Sequence, residues 1–489
     1  RSTSSCFLAM CRFRFQYESL LTLPALPLRN ITTPLPAPLS LRSAHMLCLD
    51  PTYHVTEDHT KICFSFKGIP ALGPGVFGDF LCDSPYQLIL SAFSYMKQAD
   101  LQPEFIIWTG DSPPHVPKEE LSTDVVINVI ANMTRTILQF FPQLPVYPAL
   151  GNHDYWPQDQ LPTSTNAIYD AVAKLWSPWL NPEAVATLQK GGFYSLVIKP
   201  GLRLVSLNTN LYYSPNQVTV NMTDPAGQFQ WLQETLELSR QKLEKVYVIA
   251  HVPIGYLPYA INTTAVRESY NEQLVKIFRN YSDVQGQFYG HTHRDSIMVL
   301  LDHQGKPVNS IFVTPAVTPI KSLLEPFSNN PGIRAYLYHP ENYALLVSVH
   351  QQLFEAKCLW KLEYIMTETF DIDDIQPHSF KVFDKYFNNF MVSYNLNRTC
   401  EGSCKTIQVT VFFRVPHRDS SVTGTGQYLP CHSGGTEGGM AFFKAWATQG
   451  CAEVGRSLTA TYISESFVSL LGLVSRRHCP GFILFYKMK

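Results

Sequence analysis

Apolar residues recur at helical spacing through "YQLILSAFSYMKQ" (86–98), with Ser84 and Pro85 placed to cap and open the helix. The period then changes. "EFIIWTGD" (104–111) is a short unbroken apolar run closing on Gly110 and Asp111, which predicts a buried strand. A second helical pattern, "TDVVINVIANMTRTILQFF" (123–141), leads into the apolar run "VYPAL", which closes on Gly151, Asn152, His153 and Asp154. The alternation continues with a strand in "LRLVSLNTN" (202–210), a helix in "GQFQWLQETLELSRQKLE" (227–244) and a strand in "KVYVIAHVP" (245–253). A helix in "AVRESYNEQLVKIFRN" (265–280) and a strand in "QGQFYGHTH" (285–293) follow, then edge-like strands in "SIFVTPAV" (310–317) and "YALLVSVHQ" (343–351). Strand, helix, strand order is the signature of a layered α/β domain, here spanning 46–350.

Both ends lack these periods. Residues 1–45, rich in Ser, Leu and Pro, are expected to form an atypical, disordered N-terminal extension. Residues 351–415 predict a smaller C-terminal subdomain, helical around "KLEYIMTETFDIDD", and 416–489 an irregular Gly/Ser/Thr-rich tail. The first residues, with "LLTLPALPL" short and broken by prolines, do not read as a signal peptide. No run of ~18 apolar residues is present, so no transmembrane segment is expected.

Composition narrows the class. With 45% hydrophobic and 13% aromatic residues and a net charge of -1, the chain reads as globular and carries no basic stripe for a nucleic-acid polymer. Eleven cysteines leave at least one unpaired if the others bridge; Cys63 with Cys82, and Cys400 with Cys404, are candidate local disulfides, the alternative being buried thiols. Asn-x-Ser/Thr sequons at Asn30, Asn132, Asn221, Asn262, Asn280 and Asn397 favour glycosylation and an oxidising compartment, secreted or lysosomal.

The candidate chemistry sits where apolar runs stop. "WTGD" delivers Asp111, "LGNHD" delivers Asn152, His153 and Asp154, "IAHVP" delivers His251, and "YGHTH" delivers His291 and His293. Carboxylate, amide oxygen and imidazole together form a mixed O/N ligand set, suited to Zn, Fe or Mn better than to Ca or Mg. An Asp can bridge two ions ~3.5–4 Å apart and so clamp a phosphoryl displacement, and Asp111 is the natural bridge. His251 alone would read as a core histidine; ligand types at every one of these strand ends, in this order, argue against coincidence.

The order G-D, G-N-H-D, a lone His after a strand, then G-H-x-H resembles the calcineurin-like metallophosphoesterases. "WTGDSPPHVP", "FPQLPVYPALGNHDYWPQDQLP", "VSLNTNLYY" and "GQFYGHTHRDSIMVL" are similar to the acid sphingomyelinase-like phosphodiesterases, from about Leu49 to about Gln408. The resemblance implies a four-layered αββα sandwich with a dinuclear zinc centre: Asp111 bridging, Asn152, His251 and His291 completing one site, and His293 in the other. It also implies that His153, oriented by Asp154, and His115 in "GDSPPH" act at the scissile phosphate during attack by metal-bound hydroxide. The substrate it implies is a small phosphate ester, such as a nucleotide or a related pyrophosphate or phosphodiester. Oligomeric state is left open.

One departure bears on the centre. The family's first strand carries Asp-x-His, and here Met46, Leu47 and Cys48 stand in that register, which leaves the second ion Asp111 and His293, so the chain is expected to hold one zinc well and the other weakly or not at all. Cys48 and His45 are chemically able to ligate but need a shift of the strand. The expectation is a zinc phosphodiesterase; the alternative is a catalytically impaired relative that keeps the sandwich as a binding or decoy protein. A lectin-like or structural glycoprotein gives no reason for ligands at the strand ends.

Overall fold

The computed structural model describes residues 39–44, 47–63, 71, 74–99, 103–255, 264–302, 304, 306–321, 330–354, 359–370 and 372–379. In chain order the strands are β1 (Leu39–Ala44), β2 (Pro103–Trp108), β3 (Val146–Pro148), β4 (Tyr194–Lys199), β5 (Leu202–Ser206) and β6 (Lys245–Ile249). They continue as β7 (Val284–Tyr289), β8 (Ser296–Leu301), β9 (Pro307–Val313), β10 (Gly332–Tyr338), β11 (Leu345–Phe354) and β12 (Leu359–Ile365). The helices are α1 (Tyr86–Gln98), α2 (Thr123–Phe140), α3 (Ala167–Trp176), α4 (Pro182–Gly191), α5 (Gln228–Gln241), α6 (Glu268–Arg279) and the short α7 (Met366–Phe370).

The strands form two six-stranded sheets, ordered β12-β11-β10-β1-β2-β3 and β4-β5-β6-β7-β9-β8. They face each other across an aromatic layer: Phe288 and Tyr336 have ring centroids 4.9 Å apart, Phe312 and Tyr336 5.3 Å, and the Tyr247 hydroxyl donates to the Tyr343 carbonyl at 2.7 Å. Helices cover the outer faces, which completes the four-layered sandwich. In α2, Ser122 accepts from the Val125 N–H and Val126, Val129, Ile130, Met133 and Ile137 turn one apolar stripe inward. α4 opens on Asn181 and Pro182 and closes on Gly192 at φ 77°, the usual polarity of helix ends. β2 and β3 run parallel, as do β5, β6 and β7, so each sheet sends neighbouring carboxyl ends toward one rim.

Most of the predicted elements form within a few residues of their expected bounds, α1 over the same residues. Four readings change. Leu39–Ala44, placed in the disordered extension, is a central strand, parallel to β2 and antiparallel to β10. The strands expected at edges are interior, because β8 and β12 pair outside them. "KLEYI" belongs to β12, antiparallel to β11, and only Met366–Phe370 is helical, so the boundary expected at 350/351 falls inside β11. Ser84 does not cap α1: Pro85 is the N-cap residue, and no side-chain hydrogen bond caps the helix.

Cys63 and Cys82 form the expected disulfide. Cys400, Cys404, Met46, His45, Asn30, Asn262 and Asn397 lie outside the described residues. Of the other sequon residues, Asn221 and Asn280 are exposed and Asn132 is half-buried within α2. No helix among the described residues is long and apolar enough to cross a membrane.

Candidate functional site

The loops after β2 and β3 touch. A Cβ on Gly110 would lie 2.3 Å from the Gly151 nitrogen, and one on Gly151 would lie 2.0 Å from Asp111 Oδ1, so both positions require glycine. Asp154 locks the contact by accepting three backbone N–H groups, from Asp111 at 2.8 Å, Ser112 at 2.9 Å and Gly151 at 2.8 Å. Its carboxylate is therefore committed to the backbone and does not orient the His153 ring, which corrects the expected role. Burial and the neighbouring Asp111 charge push Asp154 upward against those donors. Cys48 (φ 37°), Asp111 (57°), Asp159 (67°), His291 (69°) and His293 (59°) all adopt left-handed backbone, and such strain concentrates at functional sites.

Asp111, Asn152, His251 and His291 are brought together. His251 Nδ1 lies 2.6 Å from the Thr109 carbonyl oxygen; that oxygen can only accept, so the Nδ1 proton is fixed and Nε2 is the nitrogen turned to the site. This nitrogen lies 2.9 Å from Asn152 Oδ1 and 3.0 Å from Asp111 Oδ2. His291 Nδ1 is 3.0 Å from the same Asn152 oxygen. The Asn152 amide is oriented by its NH2, which donates to Asp159 Oδ1 at 2.8 Å and so turns Oδ1 toward the histidines.

Acceptors aimed at one another in a buried pocket repel unless a proton or a cation lies between them. Asp111, His251 and His291 have ligand atoms within 4.8 Å of one another, and the donor set of carboxylate, amide oxygen and imidazoles fits a divalent cation. Burial opposes the Asp111 anion, yet His251 and His153 outweigh it and hold the carboxyl well below its usual range. The same pairing raises His251 against its own burial, the response of a site that attracts positive charge.

A second cluster adjoins the first. The His115 ring packs tilted against His153, with centroids 4.1 Å apart, and edge-on against His293 at 5.0 Å. Asp83 fixes His115 twice, accepting from its backbone N–H at 2.6 Å and lying 3.0 Å from its Nδ1, while Thr318 donates to the same carboxylate at 3.1 Å. Burial lowers His115, but Asp83 overrides it and the imidazole ends above its ordinary value. His153 has no such partner, and burial with the neighbouring His115 takes it down to about 4. His293, expected to ligate, sits in this second cluster, where burial and His115 push it down to about 3. Cys48 also faces it, within 4.8 Å of the Asp83 and His115 ligand atoms.

Asp83 and Asp159 were not foreseen. Asp83 follows Cys82 on the disulfide loop and Asp159 lies in "YWPQDQ", so neither closes an apolar run. The one available signal for Asp83 was a carboxylate beside a cysteine already expected to bridge.

Residues 75–295 match the family described as calcineurin-like phosphoesterase, and residues 306–419 match the acid sphingomyelin phosphodiesterase C-terminal region. Over 384 residues the chain is 60% identical to cyclic GMP-AMP phosphodiesterase SMPDL3A of Homo sapiens, a match covering 74% of this chain and 85% of that protein. It is 41% identical to acid sphingomyelinase-like phosphodiesterase 3b of Mus musculus, covering 73% and 84% respectively. It is 35% identical to sphingomyelinase phosphodiesterase C of Dictyostelium discoideum, covering 69% and 81%.

Proposed function

Since the chain belongs to the acid sphingomyelinase-like phosphodiesterases, phosphoric diester hydrolases of the calcineurin-like metallophosphoesterase superfamily, we propose that it hydrolyses small phosphodiesters of the nucleotide class with zinc at the Asp111 group. Asp111, Asn152, His251 and His291 would hold the ion; when bound, it supplies Lewis-acid stabilisation of charge developing on the phosphoryl oxygens. His115 is the proton donor to the leaving group: Asp83 accepts from its Nδ1 side, which fixes the ring and favours the protonated imidazole. His153 is kept neutral beside it and orients the phosphate. Asp154 holds Asp111 and Gly151 in register and is a positioning residue.

The observation that carries this reading is the His251 Nε2 nitrogen lying within 3.0 Å of two acceptor oxygens, Asn152 Oδ1 and Asp111 Oδ2. Zinc analysis of the purified protein, paired with turnover of a chromogenic phosphodiester, tests it. Bound zinc with turnover that chelation abolishes and zinc restores is expected; undiminished turnover by metal-free protein would overturn it.

A second reading is favoured by the buried Cys48: an impaired relative holding one ion. There the other ion has Asp111 and His293 alone, short of the usual four ligands. One zinc and no turnover, with both raised by joint Met46→Asp and Cys48→His substitution, would select it. The disulfide and the exposed sequon residues Asn221 and Asn280 support a glycosylated, secreted or lysosomal protein, which a glycosidase mobility shift on secreted material tests.

A further inference from the structure

We propose that Cys48, Asp83 and His115 form a separate sulfur-containing cation site, open to a thiophilic divalent ion such as zinc or cadmium. It rests on the reading above only in that the Asp111 group takes an ion of its own. A cysteine sulfur, a carboxylate and an imidazole present one ligand atom each, all within 4.8 Å of one another, with Cys48 and Asp83 fully buried. A tetrahedral zinc shell with bonds of ~2.0–2.3 Å spaces its ligands roughly 3.3–3.8 Å apart. Closing the group therefore asks for side-chain movements of about an ångström and no shift of β1.

The backbone already commits Cys48 to this position. Its N–H donates to the Asp111 carbonyl at 3.0 Å and its carbonyl accepts from Ser84 at 3.0 Å, next to Asp83, while its φ of 37° turns the chain. Burial, and then Asp83, Asp111 and Asp154, hold the Cys48 thiol well above its usual range, so an ion binds there by displacing the thiol proton, and the same carboxylates supply the negative field that a cation relieves. Among the described residues Cys48 is a free cysteine, with a hydrophobic neighbour in Ala316, and no disulfide among them competes for it. A soft donor in the set favours zinc or cadmium and disfavours magnesium and calcium. An ion there would also engage His115, so occupancy and proton donation by that ring compete.

Cadmium titration of chelator-treated protein, followed by cadmium NMR, tests the proposal without reading turnover. Two resonances are expected, one in the nitrogen/oxygen range and one shifted by sulfur. Cys48→Ala and the near-isosteric Cys48→Ser should each lose the sulfur-shifted resonance and one equivalent of bound cadmium while keeping the other, with circular dichroism confirming the fold. A single nitrogen/oxygen resonance in the unmodified protein, or a sulfur-shifted one that survives both substitutions, overturns the site and leaves the Asp111 group standing. Absence of the nitrogen/oxygen resonance instead would count against the Asp111 group.

Discussion

The two clusters of the centre are built by different rules. Asp111, Asn152, His251 and His291 each follow a parallel strand, and their ligand atoms converge because neighbouring carboxyl ends share a rim. Asp83, His115 and Cys48 come instead from the disulfide loop, the loop after β2 and the turn after β1, held by side-chain and backbone hydrogen bonds. The first cluster takes its geometry from the sheets; the second takes it from packed loops. On the proposed reading a cation would anchor the first, and in the second a proton on His115 and a cation at Cys48 would be rival occupants.

The comparison breaks most sharply at Asp111. Replacing it with Asn should lower turnover by about 10³-fold or more and remove the ion at the strand ends. Zinc analysis beside kinetics checks this, and retained metal would mean that Asp111 is not the ion's main ligand. Asp83→Asn is expected to lower kcat by about 10²-fold with the zinc of the first cluster retained. Its pH profile should shift too. Asp83 raises His115 above its ordinary value against the opposing effect of burial, and an acid loses its proton as pH rises through its pKa. Without the Asp83 charge burial prevails, the pKa falls, and the falling limb of kcat moves to lower pH; an unmoved limb would remove His115 from the proton-donor role.

Legibility in the sequence follows the same division. The strand-end ligands were readable because each closes an apolar run, and the order of those runs pointed to the layered fold. The β1 segment "LSLRSA" was not, since its Ser and Arg dilute the pattern and its partners are distant, with Leu39 facing Tyr338. "KLEYIM" fits both periods: Leu362 and Tyr364 share a strand face, yet Leu362 with Ile365 or Met366 also fits helical spacing, and pairing with β11 decides. Asp154 was readable as a site residue but not in its role, because its hydrogen bonds run to backbone of a loop 42 and 43 residues away. Met46 and Cys48 were legible as a departure, though Asp83 and His115 as the neighbours of Cys48 emerge only in the fold.

Asp159→Ala sharpens the strand-end cluster without touching a ligand. Losing the acceptor that orients the Asn152 amide should weaken zinc affinity by about 10–100-fold, the usual scale for a group that positions a ligand. A competition titration against a chelator measures it, and unchanged affinity would show that the amide is held without Asp159.

The smallest effect on chemistry is expected from the disulfide, and it separates the clusters most cleanly. Cys63–Cys82 closes a loop of sequence separation 19, so opening it by joint Cys63→Ala and Cys82→Ala substitution should cost about 3 kcal/mol of stability. Cys82 adjoins Asp83, so the released loop lets the Asp83 carboxylate drift from His115. Asp83 accepts from His115 and Thr318 in the second cluster, so zinc at the strand ends should stay bound. A lower melting midpoint, a several-fold lower kcat and full zinc content are therefore expected together. Zinc loss in step with kcat would mean that the clusters form one cooperative unit, and the difference in how they are built would then carry no functional weight.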